Sequence, residues 1–151
     1  MPGQIVVLVA SALIEKNGKY LVLKRSKNNL TNVGKWQFPE GKVKFGENVL
    51  KALKREVEEE TNLVVVDAKL FGIHSCILKE GYGVFRMYRS IFRCKVLGKL
   101  KLSEDHDEYA WVSKKNSEKL NFISGFHPND IISVKISTRT HAMCNHTLNT
   151  H

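Results

Sequence analysis

Ile5-Val6-Val7-Leu8-Val9-Ala10 is a short, unbroken apolar run dominated by β-branched residues, the pattern of a strand buried on both faces. Lys16-Asn17-Gly18-Lys19 follows with Asn-Gly at its centre, a strong short-range hairpin signal, so Tyr20–Lys24 is expected to return as a second strand. Ser26–Lys35 is polar, with Asn28, Asn29, Asn32 and Gly34, and reads as a loop. Trp36-Gln37-Phe38 alternates once before Pro39 stops it. From Asn48 to Glu60 there is no Gly or Pro, and Leu50, Leu53 and Val57 recur at helical spacing. This predicts the strongest helix of the chain, closed by Asn62, because Asn tolerates the left-handed conformation that commonly ends helices. Leu63–Leu70 and Val84–Leu97 predict strands separated by a loop around Gly81-Tyr82-Gly83. Ala110–Val112 predicts a short strand, and a further helix is expected to include Ser117–Leu120. After Ile136 the chain becomes polar and unpatterned. A single domain over 1–136 with a loosely held tail over 137–151 is the expectation, in an α+β or α/β sandwich.

Length agrees with one domain: 151 residues can bury roughly two-thirds of their unfolded surface. At 42% hydrophobic and 26% charged, wholesale disorder and fibrous repeats are excluded. No apolar run approaches the roughly 20 residues of a membrane-spanning helix, and residues 1–14 hold no Lys or Arg, unlike a secretory signal. Cys76, Cys94 and Cys144 form no close pair, which argues against a zinc ribbon or a disulfide framework and for a reducing, cytoplasmic setting.

The charge is what first points to chemistry. Twenty-four Lys and Arg against fifteen Asp and Glu give +9, a balance that favours anionic partners. It is unevenly spread. Residues 1–46 carry eight basic groups and two acidic ones, whereas carboxylates gather at 56–60 and 104–108. The segment Lys54-Arg55-Glu56-Val57-Glu58-Glu59-Glu60 places four carboxylates at the C-terminal end of the predicted helix, where each opposes the macrodipole by about 0.3–1 kcal/mol. Glu58 and Glu59 have basic residues four positions earlier, at Lys54 and Arg55. Glu56 and Glu60 have none at helical spacing. Glu56, Glu59 and Glu60 fall within about 100° of one helix face, an arrangement that suits a hard divalent cation such as Mg²⁺.

Beyond the helix, Gly41, Glu47, Arg55-Glu56, Val57, Glu59-Glu60 and Leu63 stand in the order Gly-x5-Glu-x7-Arg-Glu-U-x-Glu-Glu-x-Gly-U, where U is aliphatic. This resembles the box of the Nudix (MutT-like) hydrolases. The final glycine is Asn62 here, a mild departure if the position needs positive φ. The looser resemblance runs from Lys24-Arg25 through Trp36-Gln-Phe-Pro-Glu-Gly to Glu108-Tyr-Ala-Trp-Val. It implies a Nudix fold, a mixed β-sheet sandwiched between α-helices. It also implies hydrolysis of a nucleoside diphosphate linked to another moiety, by water attack on phosphorus with Mg²⁺ (or Mn²⁺ as substitute). Carried onto matching positions, the resemblance makes Glu56, Glu59 and Glu60 metal ligands, with the backbone carbonyl of Glu40 completing the set. Arg55 would orient these carboxylates, Glu47 would support a ligand or metal-bound water, and Gly41 would let backbone approach the ion. The general base stays open between Glu56 and one of Glu104, Asp105, Asp107 and Glu108.

Arg25 and Lys42 are candidate phosphate contacts. Trp36 and Phe38 could stack on a base, although the alternation suggests that at least one packs inward. Tyr82 and Tyr88 are weaker substrate candidates, and His74, His106 and His127 read as ordinary loop or core histidines. The late group His141, Cys144, His146 and His151 matches no common zinc spacing. A nucleoside triphosphate is the default substrate for so short and basic a chain. Dinucleoside polyphosphates, nucleotide sugars and RNA 5′ ends are the alternatives, as is a non-catalytic nucleotide- or RNA-binding module. An ADP-ribose enzyme would be expected to carry Pro 15–17 residues past the box, where this chain has Leu78. Nucleic acid is not the favoured partner, no membrane partner is expected, and a homodimer is left open.

Overall fold

The computed structural model describes residues 3–80 and 83–129. The expected boundary near Ile136, the tail, Tyr82 and the late His/Cys group lie outside the described residues. The elements run β1 (Gly3–Lys16), β2 (Lys19–Arg25), β3 (Trp36–Gln37), β4 (Glu40–Lys42), α1 (Val49–Thr61), β5 (Val64–Glu80), β6 (Gly83–Leu97), β7 (His106–Val112) and α2 (Lys114–Ser117). The strands form a mixed sheet in the order β3-β2-β1-β6-β5, with β4 added to β1 and β7 to β2. β1 and β6 run parallel from Gly3↔Gly83 to Ile14↔Cys94, and the other pairings are antiparallel.

The β1–β2 turn forms as expected: Asn17 and Gly18 both have positive φ, at 51° and 73°. This is the backbone an Asn-Gly hairpin requires. The apolar run opening β1 departs from expectation. Burial is continuous only from Val9 to Ile14, while Ile5, Val6 and Leu8 are exposed. The strand is simply longer than the layers that cover it. α1 covers one face, where Ala52, Leu53 and Val57 pack with Ala10, Ala12, Ile14, Leu21, Leu23, Phe92 and Cys94. On the other face Phe122, Ile123 and Phe126 close over Leu13, Val22, Phe38 and Ile91. The second helix, expected to reach Leu120, is the single turn α2, so much of this layer is irregular chain. No helix among the described residues is long and apolar enough to cross a membrane.

α1 is fixed at both ends by asparagine. The Asn48 side chain accepts the Lys51 N–H at 2.8 Å, satisfying one of the free amides of the first turn. Asn62 sits at φ 62° and donates its backbone N–H to the Glu58 carbonyl. Its side chain adds a bond to the Lys99 carbonyl at 3.1 Å. The carboxylate-rich last turn is thereby closed and tied to the chain at Lys99.

Candidate active site

β4 sets the geometry. The Ala12 N–H bonds to the Pro39 carbonyl and the Val43 N–H to the Leu8 carbonyl. In an antiparallel ladder this turns alternate residues toward the partner strand, so the amide and carbonyl of Glu40 and of Lys42 face away from β1. Both residues use that edge. The Lys42 carbonyl accepts from Arg55 Nη2 at 3.0 Å, and the Glu40 N–H donates to Glu60 Oε1 at 3.0 Å. Between them Gly41 lies so close to α1 that a Cβ there would fall inside the Glu56 carboxylate. Glycine here lets the Glu56 side chain sit against the backbone of β4.

Arg55 gathers the carboxylates. Glu47 grips it with both oxygens, at 3.1 Å to Nε and 2.7 Å to Nη2. Nη1 donates to Glu56 at 2.7 Å and to Glu59 at 3.2 Å. Glu56 has its basic partner in the adjacent residue, outside the three- and four-residue spacing of a helix face. Once Glu47 bends the guanidinium back over the helix, the adjacent Arg55 reaches it. Glu58, as expected of a solvated position, is exposed.

Glu60 is the buried member. Oε1 takes the Glu40 amide, and Oε2 lies 3.4 Å from Gln37 Nε2 and 3.4 Å from His106 Nε2. Burial, with Glu56 adding to it, raises its pKa well above the ordinary carboxylate value. Burial also raises Glu56, against the opposing pull of Arg55. Glu47 moves the other way, to about 2, because Arg55 hydrogen-bonds its charged form. His106 is lowered to about 4 by burial and by nearby Arg25, so it is neutral beside Glu60.

Glu40, Glu56, Glu59 and Glu60 line one cavity of about 230 Å³ together with Arg25, Asn29, Gln37, Ser103, Asp105 and His106. No three His, Cys, Asp or Glu side chains among the described residues form a ready-made metal cage, but the donors fit a hard divalent cation. They are all oxygen, and two of the carboxylates are disfavoured as anions by burial. Of the acidic candidates at 104–108, Asp105 is the one that lines the cavity. Glu108 instead meets Lys24 at 3.3 Å. Arg25 lines the cavity, bonding through Nη1 to Gln37 Oε1 at 2.8 Å, whereas exposed Lys42 contributes its backbone to Arg55 and does not line it.

Of the two stacking candidates, one packs inward, as the alternation suggested. Phe38 is fully buried against Phe122 and Phe126, with ring centroids at 5.6 and 5.8 Å, and offers no face to a base. Half-buried Trp36 packs on the same cluster and, like Tyr88, does not line the cavity. His74 is buried edge-on to Phe126 at 5.9 Å. Gln37, His106, Asn29 and Ser103 are the lining residues that sequence reasoning did not assign. For Gln37 the available signal was a polar residue between two aromatics in an otherwise apolar alternation.

The NUDIX domain model matches residues 4–125. The chain belongs to the Nudix family. It is 32% identical over 116 residues to an ADP-ribose pyrophosphatase of Methanocaldococcus jannaschii, covering 76% of this chain and 66% of that protein. It is 31% identical over 117 residues to an 8-oxo-dGTP diphosphatase of Buchnera aphidicola, covering 78% and 84% of the two chains. In structure it is similar to a MutT protein from Methanosarcina mazei, with TM-score 0.68 and 30% identity over 81% of this chain and 88% of that one. The Nudix hydrolase class read from Gly41–Leu63 therefore holds, as does the mixed-sheet Nudix fold.

Proposed function

We propose that this Nudix chain hydrolyses a phosphoanhydride bond of a nucleoside triphosphate by attack of water on phosphorus, with Mg²⁺ as its working ion and Mn²⁺ as a substitute. The observation that carries the reading is the convergence of Glu56, Glu59, Glu60 and the Glu40 corner on one cavity that also holds Arg25. Glu56, Glu59, Glu60 and the Glu40 carbonyl are the groups that would hold the ion. When bound, the ion supplies charge neutralisation on the phosphoryl oxygens and an acidified water. Glu47 and Arg55 keep Glu56 and Glu59 oriented. Arg25 uses two of its five donors on Gln37 and the Thr31 carbonyl, which leaves the others for a phosphate. Our candidates for taking a proton from the attacking water are Glu56, whose pKa burial raises, and Asp105, which lines the same cavity.

The two relatives are named for different nucleoside diphosphate derivatives, so the substrate needs a direct assay. Phosphate and pyrophosphate release would be measured from nucleoside triphosphates, dinucleoside polyphosphates, ADP-ribose and nucleotide sugars, with Mg²⁺, with Mn²⁺ and without either. Metal-dependent turnover of triphosphates is expected. Preference for ADP-ribose would move the substrate and keep the reaction class. Silence across the panel, with metal-independent polynucleotide binding that falls steeply with salt, would overturn the enzymatic reading. The setting we infer is cytoplasmic, a reading supported by Cys76 and Cys94 being free, buried thiols.

A further inference from the structure

Arg89 is among the most completely buried side chains of the protein, at 1% exposure in the middle of β6. A buried guanidinium is costly unless paired, and its partner is Glu40, whose Oε2 accepts from Nε at 2.9 Å. Around the pair lie Cys76 Sγ, 3.8 Å from Nη1, and the Phe126 ring, 5.1 Å from the guanidinium carbon. The other Glu40 oxygen, Oε1, is buried with no hydrogen-bond partner among the described residues, so Arg89 supplies the side-chain hydrogen bond that holds this carboxylate.

Glu40 thus does two things at once. Its side chain is anchored to β6 on the sheet face opposite α1, while its backbone amide holds Glu60 and its carbonyl looks away from β1. We propose that Arg89 is a positioning residue for the hydrolytic site: by holding the Glu40 carboxylate it fixes the corner that presents the Glu40 amide to Glu60 and the Glu40 carbonyl to the cavity. Arg89 touches none of the reacting atoms. It acts through one residue, as groups behind metal ligands commonly do. The proposal rests on the reading of Glu56, Glu60 and the Glu40 carbonyl as the metal site.

The test uses the full chain and reads Mn²⁺ binding directly, by loss of the free-ion electron paramagnetic resonance signal, beside kcat at several metal concentrations. Arg89→Met/Glu40→Leu removes both charges together, which usually spares the fold. Expected are a melting temperature close to wild type, Mn²⁺ affinity weaker by about 10–100-fold, and a kcat loss that recovers as metal is raised. Wild-type Mn²⁺ affinity in the folded double variant would overturn the proposal and leave a purely structural ion pair. If the double variant does not fold, Arg89→Lys carries the test, since it keeps the charge and loses the fork. Its expected Mn²⁺ affinity is about 10-fold weaker, the low end of the range for groups behind metal ligands, and an unchanged value overturns the proposal. Wild type and Glu56→Gln separate the two readings. Loss of Mn²⁺ binding in Glu56→Gln with unchanged binding in the Arg89 variants sinks the positioning role alone. Absence of Mn²⁺ binding in wild type sinks the metal site and this role with it.

Discussion

Glu47 holds Arg55 through two nitrogens, and its own second oxygen bond, from the Lys44 N–H at 2.9 Å, closes the loop between β4 and α1. Because Arg55 stabilises the charged carboxylate, the folded-state pKa of Glu47, about 2, lies below its ordinary value. The folded protein then binds this proton less tightly than the unfolded chain. Its contribution is present in full above the unfolded value of about 4.3 and disappears as pH falls toward 2. Thermal melts from pH 7 to pH 2 should therefore show a steeper acid limb in wild type than in Glu47→Gln. Parallel limbs would mean that Arg55 does not discriminate the two protonation states. Glu56 makes a different prediction. Gln at this position fits beside Gly41 and still accepts from Arg55, so Glu56→Gln should melt within a few degrees of wild type while hydrolysis falls by at least about 100-fold, the scale of losing a positioned acid–base group. Turnover near wild type would remove Glu56 from the mechanism.

At the scale of an element, the C-terminal cap of α1 and the β4 glycine packed against that helix carry separable predictions. Asn62 is left-handed, which costs a residue with a Cβ and no local polar group about 1–2 kcal/mol. Asn62→Ala should lose about that much in denaturant unfolding, whereas Asn62→Gly should be neutral or better. Equal effects would show that the bond to the Lys99 carbonyl, and not the backbone, is what Asn supplies. Gly41→Ala drives a methyl into the Glu56 carboxylate, and overpacking of this kind costs about 1–3 kcal/mol. The loss of activity should exceed the loss of stability, because the displaced group is a proposed ligand. α1 was legible in the sequence because helical periodicity and the Gly41–Leu63 spacing are both local. The orientation of Trp36-Gln37-Phe38 was not, since alternation says that faces differ and not which face meets the cavity. Asp105 could not be told from Glu104, Asp107 and Glu108, because the choice depends on where β7 meets β2, at Arg25↔His106.

Strand length belongs to the whole molecule, and here the sequence was least informative. An apolar run reports that a strand can be buried, whereas the exposure of Val6 and Leu8 depends on how far α1 and the Phe122–Phe126 segment extend over β1. The parallel β1–β6 pairing likewise joins residues about eighty positions apart, beyond any local signal. Net charge is legible without structure, and it sets up an opposition. The molecule carries +9, yet half of the residues that wall its cavity are acidic. A nucleotide polyphosphate should be drawn in by the overall field and repelled at short range until the metal offsets the carboxylates. The two act over different distances. Raising salt from 0.1 to 1 M shortens the reach of exposed charges from about 10 to about 3 Å and leaves contacts inside the cavity largely unscreened. With free Mg²⁺ held constant and saturating, KM for a nucleoside triphosphate should rise several-fold over that range while kcat changes by less than about twofold. A KM that falls with salt would mean that the acidic wall dominates capture and that the basic surface serves something other than this substrate.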